Sequence, residues 1–172
     1  MAGKIVQIAT QNITSPTATV SLTGIDSNAT HIVTFNTLTT SNDTKNPRFR
    51  VTKTSDSSAD TSSEYDSATR SFRTDTSFNN GANENATSWS IGNIGTGTQE
   101  TAQGIIYQFA DASHYSYQRI ECNYRHSSSS TLFAQFGGGV HTVEQSNNGV
   151  QFFEGGGDTI TGIFTLYRVV PS

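Results

Sequence analysis

The sequence predicts an all-β protein, a single-domain antiparallel β-sandwich of jelly-roll type. Its apolar residues recur at a spacing of two, as at Ala18, Val20 and Leu22, and no stretch keeps a helical period. Ser, Asn and Gly are abundant between the apolar segments, where they favour turns. About ten such strands with short connections and no helices are typical of sandwiches. The whole chain, 1–172, is predicted to form this one domain.

The first half of the chain predicts four strands and two long polar loops. Pro16 indicates a turn after the first strand, and Tyr65 and Phe72 stand alone among polar residues, which predicts only short strands there. Residues 54–64 are nearly all Ser, Thr and Asp and predict an exposed loop. Residues 79–88 begin with Asn-Asn-Gly, a turn signal, and predict the second loop. The four predicted strands are 5–10, 17–23, 31–38 and 48–53.

The second half is richer in aromatic residues and predicts further strands. Turns are expected at 127–130, at the Asn-Asn-Gly of 147–149 and at the glycines of 155–157. The last strand has apolar residues on both faces, which is typical of a strand covered on each side. The predicted strands of this half are 104–110, 115–124, 132–136, 140–145, 150–153 and 162–170.

Charge and cysteine content exclude several classes of protein. Charged residues make up 14% of the chain, only three of them are lysines, and the net charge is −4, so no basic patch for duplex nucleic acid is expected. No segment has the length of a membrane span, and we expect no signal peptide at the start. Cys122, the single cysteine, is predicted to be a buried and inert thiol.

The residues that carry chemistry do not form a catalytic pattern, so we expect no enzyme, no cofactor and no metal site. The chain has no Gly-x-Ser-x-Gly elbow, and residues 56–66 lack the order of an EF-hand calcium loop. Most carboxylates fall in predicted loops, and Glu121 and Glu144 are the most strand-like. Because glycoside hydrolysis needs two carboxylates facing one cleft, a small glycoside hydrolase is the weakest alternative.

Three large amphipathic rings, Trp89, Tyr115 and Tyr117, are the candidate contact residues. They lie among Ser, His and Asn, and such rings stack on sugars or anchor interfaces. Packing within the core is the competing interpretation of the same residues. A carbohydrate-binding module that uses these three rings is therefore the main alternative function.

Four stretches carry a resemblance to a known class of protein: 51–66, Phe72–Phe78, Gly149–Phe153 and the terminal Gly162–Val170. With them the chain resembles small β-sandwich virion proteins of tailed bacteriophages, especially phages of marine bacteria and cyanobacteria. Members commonly end in a Gly-Thr-Phe-Thr-Leu-Tyr-Gly-like strand, whereas here Ile163 and Arg168 replace the usual small residues.

The resemblance implies a non-enzymatic structural protein on the exterior of a virion, either a capsid decoration or part of a tail fibre or receptor-contacting knob. Such a protein is made in the host cytoplasm and released by lysis. Its expected partners are other virion proteins, a host-surface glycan and other copies of itself. We expect a trimer, because open sheet edges need cover and few lysines guard them.

Overall fold

The computed structural model describes residues 3–26, 29–92, 94, 102–108, 112–126 and 131–170. Every element of regular secondary structure in these residues is a β-strand, which confirms the all-β class. The turn predicted at 127–130 and the last two residues of the strand predicted at 104–110 lie outside the described residues.

The described part of the chain contains twelve strands, against the ten or so that the sequence predicts. In chain order they are β1 (Lys4–Thr17), β2 (Thr19–Thr23), β3 (His31–Thr40), β4 (Pro47–Lys53), β5 (Tyr65–Arg73), β6 (Phe78–Ala86), β7 (Trp89–Ser90), β8 (Ala102–Gln108), β9 (Ser116–Arg125), β10 (Leu132–His141), β11 (Asn147–Glu154) and β12 (Ile160–Val170).

The strands form two antiparallel sheets whose inner faces pack together. The large sheet has the order β1-β12-β3-β8-β9-β10-β5-β6, and the small sheet has the order β2-β11-β4-β7. Phe152 of the small sheet links the two layers, because its ring centroid lies 6.1 Å from that of Phe35 and 4.8 Å from that of Phe164, both in the large sheet. All three rings are fully buried. Alternation along each strand thus builds one core between the sheets.

Pro16 does not form the predicted turn, because β1 continues through it to Thr17. Proline cannot donate a backbone hydrogen bond and is tolerated in edge strands and at bulges. Here β1 is an edge strand of the large sheet, and its pairing with β12 shifts register between Ile13 and Thr17. An irregular stretch of an edge strand therefore accommodates the proline.

The prediction of a polar loop at 79–88 is wrong, since most of these residues belong to β6. The hairpin turn lies earlier, at 74–77, where a carboxylate oxygen of Asp75 accepts a hydrogen bond from the backbone N–H of Ser77 at 3.1 Å. Asn79, Asn80 and Gly81 pair instead with β5. Because β6 is an edge strand exposed along nearly its whole length, backbone pairing forms it without an apolar pattern.

Two glycine-rich segments that interrupt the predicted strands lie inside observed ones. Residues 137–139 are in the middle of β10, and Asn147, Asn148 and Gly149 begin β11 instead of turning. A Cβ on Gly137 would collide with the backbone oxygen of Ala68 on the neighbouring strand. At this position glycine therefore permits close approach of two strands rather than a turn.

Two further expectations about exposure are corrected. The loop 54–64 is not wholly exposed, because Asp60, one of its own residues, is buried. The last strand, β12, is not covered on both faces: Phe164 and Leu166 are fully buried, but Ile163 on the opposite face is 39% exposed. The backbone of β12 is hydrogen-bonded to β1 on one side and to β3 on the other. Its backbone is therefore protected by its central position in the sheet, while only the side chains on its inner face are fully buried.

Candidate functional site

The outer face of the large sheet carries a cluster of exposed aromatic rings. Phe72 of β5 and Phe136 of β10 are 52% and 46% exposed, and their ring planes lie 13° apart with centroids 5.8 Å apart. Phe78 of β6 is also exposed, and the guanidinium of Arg70 lies 4.0 Å from its ring centroid. We call Arg70, Phe72, Phe78 and Phe136 the outer aromatic patch. Its exposed rings are unusual on a chain with so few apolar residues.

Strand register explains why these rings meet. Phe72 pairs with Ala134 of β10 and with Phe78 of β6, while Phe136 pairs with Arg70. Because side chains alternate between the two faces, these paired residues all point to the same outer face. The four residues of the patch therefore occupy two adjacent rows that run across three strands.

A groove of about 690 Å³ lies beside the patch and crosses the strands from β3 to β5. Phe72 and Phe136 line one end, and Thr34 and Asn36 of β3 line the other. Ala134 of β10 lies between Phe72 of β5 and Asn123 of β9, and its short side chain leaves the depth of the groove open. We call this cavity the outer groove.

The described residues in the middle of the outer groove are polar. Arg119, Glu121 and Asn123 are alternate residues of β9, so they lie in line on the outer face. An Nη atom of Arg119 lies 2.5 Å from a carboxylate oxygen of Glu121, and both side chains are solvent-exposed. The two charges offset each other, which leaves a locally neutral surface rich in hydrogen-bond donors and acceptors.

The three rings that the sequence proposes as a contact surface do not form one. Trp89 is 1% exposed and packs in the core, with its ring 5.2 Å from Phe49 and 4.8 Å from Tyr65. Its indole N–H donates to the backbone oxygen of Asp66 at 3.1 Å, so its polar atom is also satisfied. For Trp89 the surface interpretation is wrong, and the competing interpretation as a core residue is correct.

Tyr115 and Tyr117 are exposed, as a contact surface would need. Tyr117 lies on β9, two residues before Arg119 of the outer groove and on the same face, whereas Tyr115 precedes the strand. Tyr117 thus lies on the same face as the outer groove, whereas Phe72 and Phe136 were not among the candidate contact residues. The one sequence signal for Phe72 is that a large apolar ring stands alone among polar residues.

A second cluster of titratable groups lies buried beneath the loop 54–64. The Tyr65 hydroxyl donates to the backbone oxygen of Asp60 at 2.9 Å, and Gln145 donates to the Asp60 carboxylate at 2.7 Å. The ring of His141 lies 4.6 Å from that of Tyr65, and burial lowers the pKa of His141 below 6.5 although Asp60 raises it. The hydrogen bonds from Tyr65 and Gln145 hold Asp60 and its loop to the sheet, whereas the buried Nε2 of His141 lies 3.4 Å from the Asp60 carboxylate without a hydrogen bond.

The thiol of Cys122 has a structural role as well. Cys122 is buried, as predicted, and burial raises the pKa of its thiol to about 12, so the thiolate form that would react is not populated near neutral pH. Among the described residues, no group of three or more His, Cys, Asp or Glu side chains is arranged to hold a metal ion. Nor does that part of the chain contain a helix long and apolar enough to cross a membrane.

Comparison with protein-family models, with curated proteins and with solved structures finds no match to this chain. The resemblance to phage virion proteins stays a prediction. Any functional assignment therefore depends on the strand order and on the outer face of the large sheet.

Proposed function

We propose that the protein is a non-enzymatic structural component of a virion exterior, built on a jelly roll. The observation that carries the proposal is the strand order. The large sheet contains the consecutive strands β1-β12-β3-β8, and the small sheet has the order β2-β11-β4-β7. Numbering these eight strands B to I along the chain gives the orders BIDG and CHEF, which supports the proposal of a jelly roll with two four-stranded sheets.

The remaining four strands are consistent with insertions into that framework. The hairpin β5–β6 lies in the connection between β4 and β7, and the hairpin β9–β10 lies between β8 and β11. Both extend the large sheet beyond β8 and leave the order of the eight framework strands unchanged. Jelly rolls form viral capsid domains and lectins, so this order supports the class that the sequence resemblance suggests.

The exposed edge of the large sheet supports a proposal of self-association. The edge strand β1 exposes Ile5, Val6 and Ile8, with Ile5 61% exposed, and its one lysine, Lys4, is at its start. A long exposed strand edge with apolar side chains offers unpaired backbone groups to another chain. We propose that copies of the protein cover this edge in a closed oligomer, a trimer, as in the point-group assemblies common among soluble proteins.

Mass spectrometry of particles purified from the phage that carries the gene tests the proposal. The protein should be present in stoichiometric amounts relative to the major capsid protein. Hundreds of copies would identify a capsid decoration, and about a dozen would identify a fibre or tail component, following the symmetry of such assemblies. Its absence from intact particles, with the protein abundant in the lysate, would contradict the proposal.

A further inference from the structure

The outer groove combines two kinds of surface that recognise a sugar chain. An aromatic face packs against the apolar C–H face of a pyranose ring, and amides and charged side chains hydrogen-bond its hydroxyls in the ring plane. Phe72 and Phe136 supply the first surface, and Arg119, Glu121 and Asn123 supply the second. We propose that the outer groove binds a neutral oligosaccharide, with the phenylalanines at one end and the polar residues along its length.

The size of the groove fits such a ligand. Its volume of about 690 Å³ lies within the range of roughly 300–1,000 Å³ that small-ligand pockets occupy. From β3 to β5 the groove crosses four interstrand steps of about 4.8 Å, or about 19 Å in all. That length accommodates a chain of several sugar rings laid across the strands.

Charge indicates that the ligand is neutral. Among the described residues that line the groove, the charged side chains are Arg119 and Glu121, which pair at 2.5 Å and offset each other. The guanidinium of Arg70 lies over the ring of Phe78 on β6, beyond the β5 end of the groove, and so does not add a positive charge to its lining. The chain as a whole carries a net charge of −4, which repels polyanions. Single-stranded nucleic acid also stacks on aromatic rings, but it requires a positively charged path for its phosphates, and Glu121 lies in this one.

An apolar partner fits the groove less well than a sugar does. A lipid chain or an apolar protein segment would cover Arg119, Glu121, Asn36 and Asn123 without replacing the hydrogen bonds that these groups make with water. A hydroxyl-rich ligand replaces those bonds while it covers Phe72. The mixture of surfaces therefore selects for an amphipathic ring with hydroxyls at its edge.

The inference deepens the proposed function, because it names the class of host-surface molecule that an exterior virion protein would contact. Binding of an oligosaccharide nevertheless depends only on the residues of the outer groove and not on assembly into a particle. A test on the purified chain therefore succeeds or fails independently of whether the protein is found in particles.

The test uses the purified full-length protein and an array of immobilised neutral oligosaccharides, namely cellohexaose, chitohexaose, maltohexaose, mannohexaose and xylohexaose. An alginate oligomer and an oligothymidylate serve as polyanionic probes, and isothermal titration then measures the affinity of the best ligand. The variants Phe72→Ala, Phe136→Ala and Asn123→Ala each remove one lining side chain. Because Phe72 and Phe136 are half-exposed, their truncation leaves the core between the sheets intact.

Phe153→Ala is the matched control. Phe153 is a phenylalanine on the other face of the protein, in the small sheet, and the Arg50 guanidinium lies 4.2 Å from its ring, much as Arg70 lies over Phe78. Circular dichroism and thermal melting establish that all four variants are folded.

We expect wild-type protein and Phe153→Ala to bind at least one neutral hexasaccharide with equal affinity. Each groove variant should bind it at least about tenfold more weakly, a difference of about 1.4 kcal/mol. Failure to bind any of the five hexasaccharides would overturn the proposal, as would a preference for alginate or oligothymidylate. Binding that survives in all three groove variants would show that the sugar binds elsewhere and would overturn the assignment of the site.

Discussion

Truncation of Phe152 should be among the most damaging single substitutions in this protein. The side chain is fully buried, and its ring contacts Phe35 and Phe164 of the large sheet and Phe49 of the small sheet at centroid distances of 4.8 to 6.1 Å. Phe152→Ala removes the central ring and leaves a cavity between rigid sheets, a change that costs about 3–5 kcal/mol. A domain has about 5–15 kcal/mol of stability, so at least a fifth of it is lost.

Phe153→Ala supplies the matched control within the same strand. Phe153 is the next residue of β11, only half-buried on the opposite face, and it contacts Arg50. Loss of an exposed cation–π contact costs about 0.5–1 kcal/mol. The two variants remove the same atoms, and only their position relative to the core differs.

Guanidinium denaturation measures both variants, with the fluorescence of Trp89 as the probe. Trp89 is the single tryptophan and is buried 5.2 Å from Phe49, so its emission reports the opening of the core. We expect the free energy of unfolding to fall by at least about 2 kcal/mol more in Phe152→Ala than in Phe153→Ala, at similar denaturant dependence. Equal losses in the two variants would refute the placement of the core between the sheets.

Three further predictions concern acid, the last strand and self-association. Burial lowers the pKa values of His31 and His141 in the folded protein below 6.5, so the unfolded chain binds more protons than the folded protein as the pH falls. The contribution of these histidines to stability is therefore full above about pH 6.5 and declines below it. The denaturation midpoint should be lower at pH 5.5 than at pH 7.5, and a constant or higher midpoint at pH 5.5 would contradict this prediction. Deletion of residues 164–172 removes most of β12 from between β1 and β3. We expect an insoluble chain, because each buried apolar side chain that is lost contributes about 1.5–3 kcal/mol to stability. A soluble monomer that melts cooperatively would show the strand to be dispensable. Light scattering of the purified protein should give a trimer, and charged substitutions at Ile5 and Ile8 should dissociate it; a wild-type mass of 18.5 kDa would disprove the oligomer.

The alternation of apolar residues predicted the strands that face the core. Val20 and Leu22 in β2, and Ile120, Cys122 and Tyr124 in β9, are all buried as their spacing indicates, whereas Ala18 of the same pattern precedes β2 and is exposed. Local pattern is sufficient there, because a strand with one dry face must place alternate residues inside.

Strands without such a pattern could not be predicted in the same way. β6 contains four asparagines and one glutamate in nine residues and is exposed along most of its length. It is a strand because β5 lies beside it and pairs with its backbone. Backbone hydrogen bonds are the same for every residue type, so the sequence of β6 holds little information about them.

The sequence alone determined the all-β class and the burial of Cys122, since each depends on residue types a few positions apart, whereas for Tyr117 it left both surface contact and core packing open. Only the tertiary structure decided that Trp89 is a core residue and that Phe72 meets Phe136 beside Arg119 and Glu121. Those neighbours come from β5, β9 and β10, up to 64 positions apart between Phe72 and Phe136, and strand register brings them together. Register is set by how two sheets fit over one core, a property of the whole chain that no short segment specifies.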